Sequence, residues 1–138
     1  MPWVFFLLIG AVDAGFILYA LVTVENAARS AALYASSSTV NSTNAAVACG
    51  TYVMPALQYL GNVSGGTNCT TGSLTVSAAA PVALTLTTLT TALTIPDGTA
   101  VPAVKVTVWY LTPLMAPIPG AFAGQTTIRR SVTMRIQQ

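Results

Sequence analysis

The first 24 residues, MPWVFFLLIGAVDAGFILYALVTV, are apolar on every side of a helix, and Asp13 is their one charge. Such a pattern belongs in a bilayer or a deep core rather than on a protein surface. As a helix the stretch is about 36 Å long at 1.5 Å per residue, enough for a bilayer core of roughly 30 Å. It reads either as a signal peptide that is removed or as a helix that stays. A secretory signal has a basic leading region, a shorter apolar core and a small-residue cleavage site, and no Lys or Arg precedes the apolar run here. The pattern continues as VENAARSAALYASS, rich in helix formers and without a breaker. It predicts one helix from Pro2 to about Ser36, membrane-like over two-thirds of its length and amphipathic at its end. Pro2 suits the first turn, where an N–H would be unpaired anyway.

Within this helix Gly10, Ala11, Ala14 and Gly15 form a small-residue patch where another helix can approach closely. Ala28, Ala31, Ala32 and Ala35 recur at i, i+3, i+4, i+7 and give a flat stripe, suited to the chain's own globular part or to a neighbouring helix. Glu25 and Arg29 have the favourable i, i+4 order. Asp13 is costly, because a carboxylate at mid-membrane depth loses a few kcal/mol on insertion scales (about 3) and normally faces a partner. Two readings stand for it: protonated and bonded to a backbone carbonyl, or paired with a positive group of a neighbouring copy, the Met1 amino group or an Arg.

SSSTVNST, residues 36–43, breaks the helix. From Asn44, the residues Ala45, Ala46, Cys49, Tyr52, Val53, Ala56, Leu57 and Leu60 share a helical face, with Pro55 expected to kink or split the element and Gly61-Asn62 to end it. After a loop of turn formers the period becomes two. LTVSA and VALTL read as strands, with a slip after Thr87-Thr88 and LTTALTI beyond it. Pro96-Asp97-Gly98 reads as a turn. VPAVKVTVWYL is the clearest strand, with Val104, Val106 and Val108 on one side and Lys105, Thr107 and Trp109 on the other. TPLMAPIPGAFAGQ is a loop with apolar Leu114, Met115, Ile118 and Phe122, either a contact surface or a flap over its own sheet. The closing TTIRRSVTMRIQQ alternates again, and Arg130 shares a face with Ile128, Val132, Met134 and Ile136. A buried guanidinium needs a carboxylate, so Arg130 is expected either to pair with Asp13, Glu25 or Asp97, within or between subunits, or to reach solvent through a register shift.

The fold class expected is therefore α+β: a long hydrophobic helix (1–36) followed by a β-rich head (37–138) with a small antiparallel sheet and one short helix. Charged residues are 6% of the chain against about 25% for ordinary soluble domains. An isolated soluble monomer is a poor fit, and a surface buried against copies of itself or covered by sugar is a better one. Net charge is +2 and the basic residues form no run, which argues against nucleic acid. Cys49 and Cys69 read as one disulfide in an exported chain, or as two buried thiols. With no His, no metal site or other cofactor is expected.

VENAARSAALYAS following the apolar run resembles TadE/TadG-type pilin-like proteins, whose first segment leads into a "NAAREGAR"-like helix. VKVTVWYLTPL, a loop and TIRRSVTMR look like that family's closing strands. The likeness covers both ends, about half the chain. It implies export, retention in the inner membrane by the helix, then a place in an extracellular filament at the cell surface or in the Tad secretion and adhesion machine. The missing basic flank resembles class III signal peptides of type IV pilins, in which a short leader is cut off ahead of the apolar helix. The early glutamate of mature type IV pilins is absent, since position 5 is Phe5, and Asp13 is the acid on offer instead.

Three function classes follow: a structural subunit of a pilus-like filament, a membrane-anchored binding module or minor pseudopilin, and an enzyme. The last is disfavoured, with no His, no carboxylate pair and no phosphate-cradling glycine loop. The sequons at Asn41, Asn62 and Asn68 mark candidate glycosylation sites in loops.

Overall fold

The computed structural model describes residues 2–63, 69–72, 75–94, 96, 98, 100–113 and 124–137. Helix α1 runs from Pro2 to Ser36 without interruption, as the sequence predicts. It stops where three serines follow one another. The Ser36 and Ser37 hydroxyls donate to Leu33 O and Tyr34 O, and Gln137 N donates to Ser36 O at 2.8 Å. These bonds satisfy carbonyls that a helix end otherwise leaves orphaned.

After a 3₁₀ turn at Asn41–Thr43, a second helical segment (α2) covers Ala45–Leu57. The Asn44 side chain caps it by accepting from Val47 N at 3.3 Å. Pro55 neither ends nor splits it. Instead residues Ala48–Val53 widen into a π-helix, with Met54 N donating to Cys49 O. Proline lacks an N–H and crowds the carbonyl four residues back, and a wider turn accommodates both demands inside a continuous helix. Asn62, at φ 71°, turns the chain after it. Gly61 is needed there, because a Cβ would lie 3.0 Å from Pro113 Cγ.

Four strands form one sheet in the order β1-β2-β3-β4: Cys69–Thr71, Val82–Thr94, Ala100–Leu111 and Thr127–Arg135. β2–β3 and β3–β4 are antiparallel, whereas β1 lies parallel to β2, with Cys69 opposite Val82 and Thr71 opposite Leu84. The sheet is therefore mixed, a correction to the all-antiparallel expectation. A parallel pair normally needs a long crossover, but β1 spans only three residues, so the return path to Val82 is short. LTVSA does not form the strand its alternation predicts: the described part, from Thr75, is irregular. The slip expected after Thr87-Thr88 falls slightly later, between Leu89 and Leu93, opposite Pro102. Proline cannot donate to a ladder, and β2 bulges past it.

The sheet's inner face (Val82, Leu84, Val104, Val106, Val108, Tyr110, Ile128) lies over α1 and α2. From α1 it receives Ala20, Val24, Ala27, Ala28, Ala31, Ala32 and Ala35, all fully buried. Methyl-sized side chains let helix and sheet backbones approach closely, so the second half of α1 is one wall of the head's core. Ala31→Leu should overpack this wall and destabilise the full chain by about 1–3 kcal/mol, whereas Leu33→Ala, at a 63% exposed position, should change stability by less than about 0.5 kcal/mol. Denaturant unfolding in detergent micelles measures both.

Tyr110 ties the second helical segment to the sheet: its buried ring carries an Oη that donates to Gly61 O at 2.5 Å. Burial pushes its phenol up to about 12 from the ordinary 10. The unfolded chain thus loses this proton first, and stability present below pH 10 is lost as pH rises towards 12. Two units correspond to a loss on the order of 2 kcal/mol. Tyr110→Phe should abolish that part of the alkaline slope, measured as the difference between the two unfolding curves from pH 9 to 12.

Candidate functional site

The first part of α1 stands apart from the head. Trp3, Val4, Phe5, Phe6, Leu7, Leu8, Val12, Leu18, Tyr19 and Val22 are each more than half exposed. An exposed apolar surface of this size marks a site of contact with something equally apolar. Covering those side chains is worth on the order of 10–20 kcal/mol at the usual burial coefficient. By length and composition the helix can cross a membrane, and almost none of its most apolar stretch is buried within the chain. In the small-residue patch, Ala11, Ala14 and Gly15 are exposed and Gly10 is half-buried. A Cβ added at Gly15 would meet nothing within 4 Å.

Where the helix leaves this apolar zone, its polar residues satisfy themselves locally. Thr23 Oγ1 donates to Tyr19 O at 2.7 Å and Ser30 Oγ to Asn26 O at 3.0 Å. Arg29 Nη2 meets Glu25 Oε1 at 2.5 Å, the i, i+4 pair its spacing predicts. Both groups are largely exposed, so the pair adds only a few tenths of a kcal/mol, about 0.3–0.5.

Asp13 is half-buried on the side of α1 that carries Ala20, Val24, Ala27 and Ala31 further along. Its Oδ2 is enclosed and has no hydrogen-bond partner. No backbone carbonyl is bonded to it among the described residues, and the reading that pairs it with a positive group of a neighbouring copy concerns a second chain.

Arg130 reaches solvent, one of its two expected outcomes, but by another route. It keeps the predicted face, opposite Val108 in the β3–β4 register, yet it is exposed and makes no ion pair among the described residues. No register shift is involved. β4 is an edge strand, and α1 does not close over its inner face at this level. The gap is an open cleft of about 450 Å³ lined by Glu25, Arg29, Arg130, Ser131, Val132 and Met134. The proposed partner Asp97 lies outside the described residues. Sequence reasoning missed the cleft, although a charged residue on the inner face of a terminal strand is a signal that the face is open there.

Residues 1–33 match the family model described as TadE-like protein. This N-terminal segment is TadE-like. The match takes in the apolar zone, Asp13 and the Glu25–Arg29 pair, and ends within α1; the closing strands, likened to the same family on their sequence, lie outside it. Comparison with curated proteins and with solved structures finds no match.

Cys49 and Cys69 form a disulfide, with Cα atoms 6.1 Å apart. It joins the π-helical turn to β1 and closes a loop worth roughly 3 kcal/mol on the chain-entropy estimate. Tyr34 and Tyr52 stack with ring centroids 4.7 Å apart, joining α2 to α1. On the outer sheet face Arg129 lies 5.5 Å from the Trp109 ring centroid, a cation–π contact. Of the sequon asparagines, Asn62 is exposed, Asn41 is half-buried with its Nδ2 donating to Ser37 Oγ at 2.9 Å, and Asn68 lies outside the described residues.

Because the Glu25–Arg29 pair is solvated, Glu25→Gln should leave thermal stability nearly unchanged, within about 0.5 kcal/mol. A larger loss on denaturant unfolding would mean that the pair supports the head rather than only the helix surface.

Proposed function

We propose that the chain is a structural subunit of a Tad-type, pilus-like filament, held in the inner membrane by α1 before assembly and packed through α1 against copies of itself afterwards. The observation that carries this reading is the exposed apolar half of α1 on a helix whose other half is built into a folded head. Withdrawing such a helix from a bilayer is tolerable only if it enters an equally apolar surrounding, and a bundle of identical helices supplies one. The TadE-like segment supports it, since it coincides with that helix.

In this reading Gly10, Ala11, Ala14 and Gly15 permit close helix approach, the β-rich head faces outwards, and Asn62 is, among the described residues, the sequon asparagine best placed to carry a glycan. The head does no chemistry. Its stability rests on a disulfide, a tyrosine stack and an alanine-lined core, which resist unfolding outside the cell.

Surface material sheared from cells producing the chain should contain thin filaments, visible by negative-stain electron microscopy, in which this chain is the main protein. Gly15→Leu should reduce filament yield at least tenfold while leaving the amount of membrane-bound chain unchanged, as scored by immunoblot. A chain found only as single copies in the membrane, with no filaments, would contradict the subunit reading and favour a membrane-anchored binding module.

A further inference from the structure

We propose that Arg130 of one copy forms an ion pair with Asp13 of a neighbouring copy, in the cleft between α1 and β4. The inference rests on the filament reading and adds the contact that sets the stagger between subunits.

The charge inventory points to this pair. Arg29 and Arg130 both line the cleft, but Arg29 is matched by Glu25, which leaves the cleft one net positive charge on Arg130. The chain has three acids. Glu25 is engaged and Asp97 lies outside the described residues, while Asp13 holds a carboxylate oxygen enclosed without a partner. An enclosed, unpartnered carboxylate oxygen is an unfavourable state that a charge-assisted hydrogen bond from a guanidinium relieves.

Geometry excludes the pairing within one copy and sets it between copies. Arg130 sits at the level of residues 25–29 of α1. Asp13 is 14 residues from the middle of that stretch, about 21 Å along the axis at 1.5 Å per residue. Its helical position is that of Ala20, Val24, Ala27 and Ala31, whose side chains meet the head. When parallel helices bundle, Asp13 therefore looks towards the layer of heads and not towards the bundle axis. A neighbour displaced by about 20 Å along the helix direction brings its cleft to the height of that carboxylate. Oppositely charged groups meet, and each copy uses one of each, so the contact repeats head to tail along an open assembly.

The test uses two full-length versions, Asp13→Cys and Arg130→Cys, produced together in the same cells. Both native cysteines are in the disulfide, so the introduced thiols have only each other. Sheared filaments run without reductant should give a reducible dimer at least tenfold stronger than with either version alone. Reciprocal charge reversal is the second measurement. Asp13→Arg or Arg130→Asp alone should lower filament yield at least tenfold, and the two together in one chain should restore at least half of it. Filaments without the dimer would overturn the pair, as would wild-type yields from both single reversals. If the wild-type chain makes no filaments, the subunit reading fails on that observation. The pair, which requires that staggered assembly, then fails with it, whereas filaments that form without the dimer overturn the pair alone.

Discussion

The structure depends on close packing of the alanine face of α1 against the inner face of the sheet. Ala20, Ala27, Ala28, Ala31, Ala32 and Ala35 have no exposed surface, and any larger side chain there would push helix and sheet apart. This face belongs to the same unbroken helix whose N-terminal half offers bulky apolar side chains outwards. One rigid rod thus meets two surroundings: an apolar one beyond the head, and the protein's own core beneath it. Small residues serve where the contact is with a pleated sheet at short range. Large ones serve where the surrounding is fluid or made of other helices.

Scarcity of charge gives the few ionic groups their meaning. Five cations and three acids are spread over 138 residues. Arg29 is neutralised along its own helix, and Arg129 lies on an indole ring. Lys105 and Arg135 lie on the outer sheet face and Asp97 outside the described residues, which leaves Arg130 in the cleft and Asp13 on α1, each without a partner among the described residues, on surfaces that the proposed assembly would cover. A protein that folds alone has little reason to leave a carboxylate oxygen enclosed and unbonded. One that completes itself with copies has such a reason.

Much of the fold was legible in the sequence. The bounds of α1 follow from an apolar run passing into helix formers without a breaker and stopping at serines. β3 declares itself by Val104, Val106 and Val108, and Cys49 and Cys69 pair as two cysteines in an exported chain most simply would. The parallel β1 was not legible, because Cys69–Thr71 is too short to alternate and owes its place to the disulfide and to β2. LTVSA alternates but is irregular over its described residues, and local periodicity alone does not make a strand. Pro55 was expected to kink or split the second helix, whereas a π turn accommodates it within one continuous helical segment. For the site, the face of Arg130 was readable, but its exposure depended on strand order and on where α1 lies, which no local pattern encodes.

The division of α1 between two surroundings is the central claim, and a nitroxide scan along the helix of the full chain in lipid bilayers tests it most directly. Labels at positions 5, 8, 12, 19 and 22 should be reached by oxygen in preference to a water-soluble nickel reagent. The preference should reverse by positions 30 and 33. Oxygen preference continuing through position 33 would contradict the account.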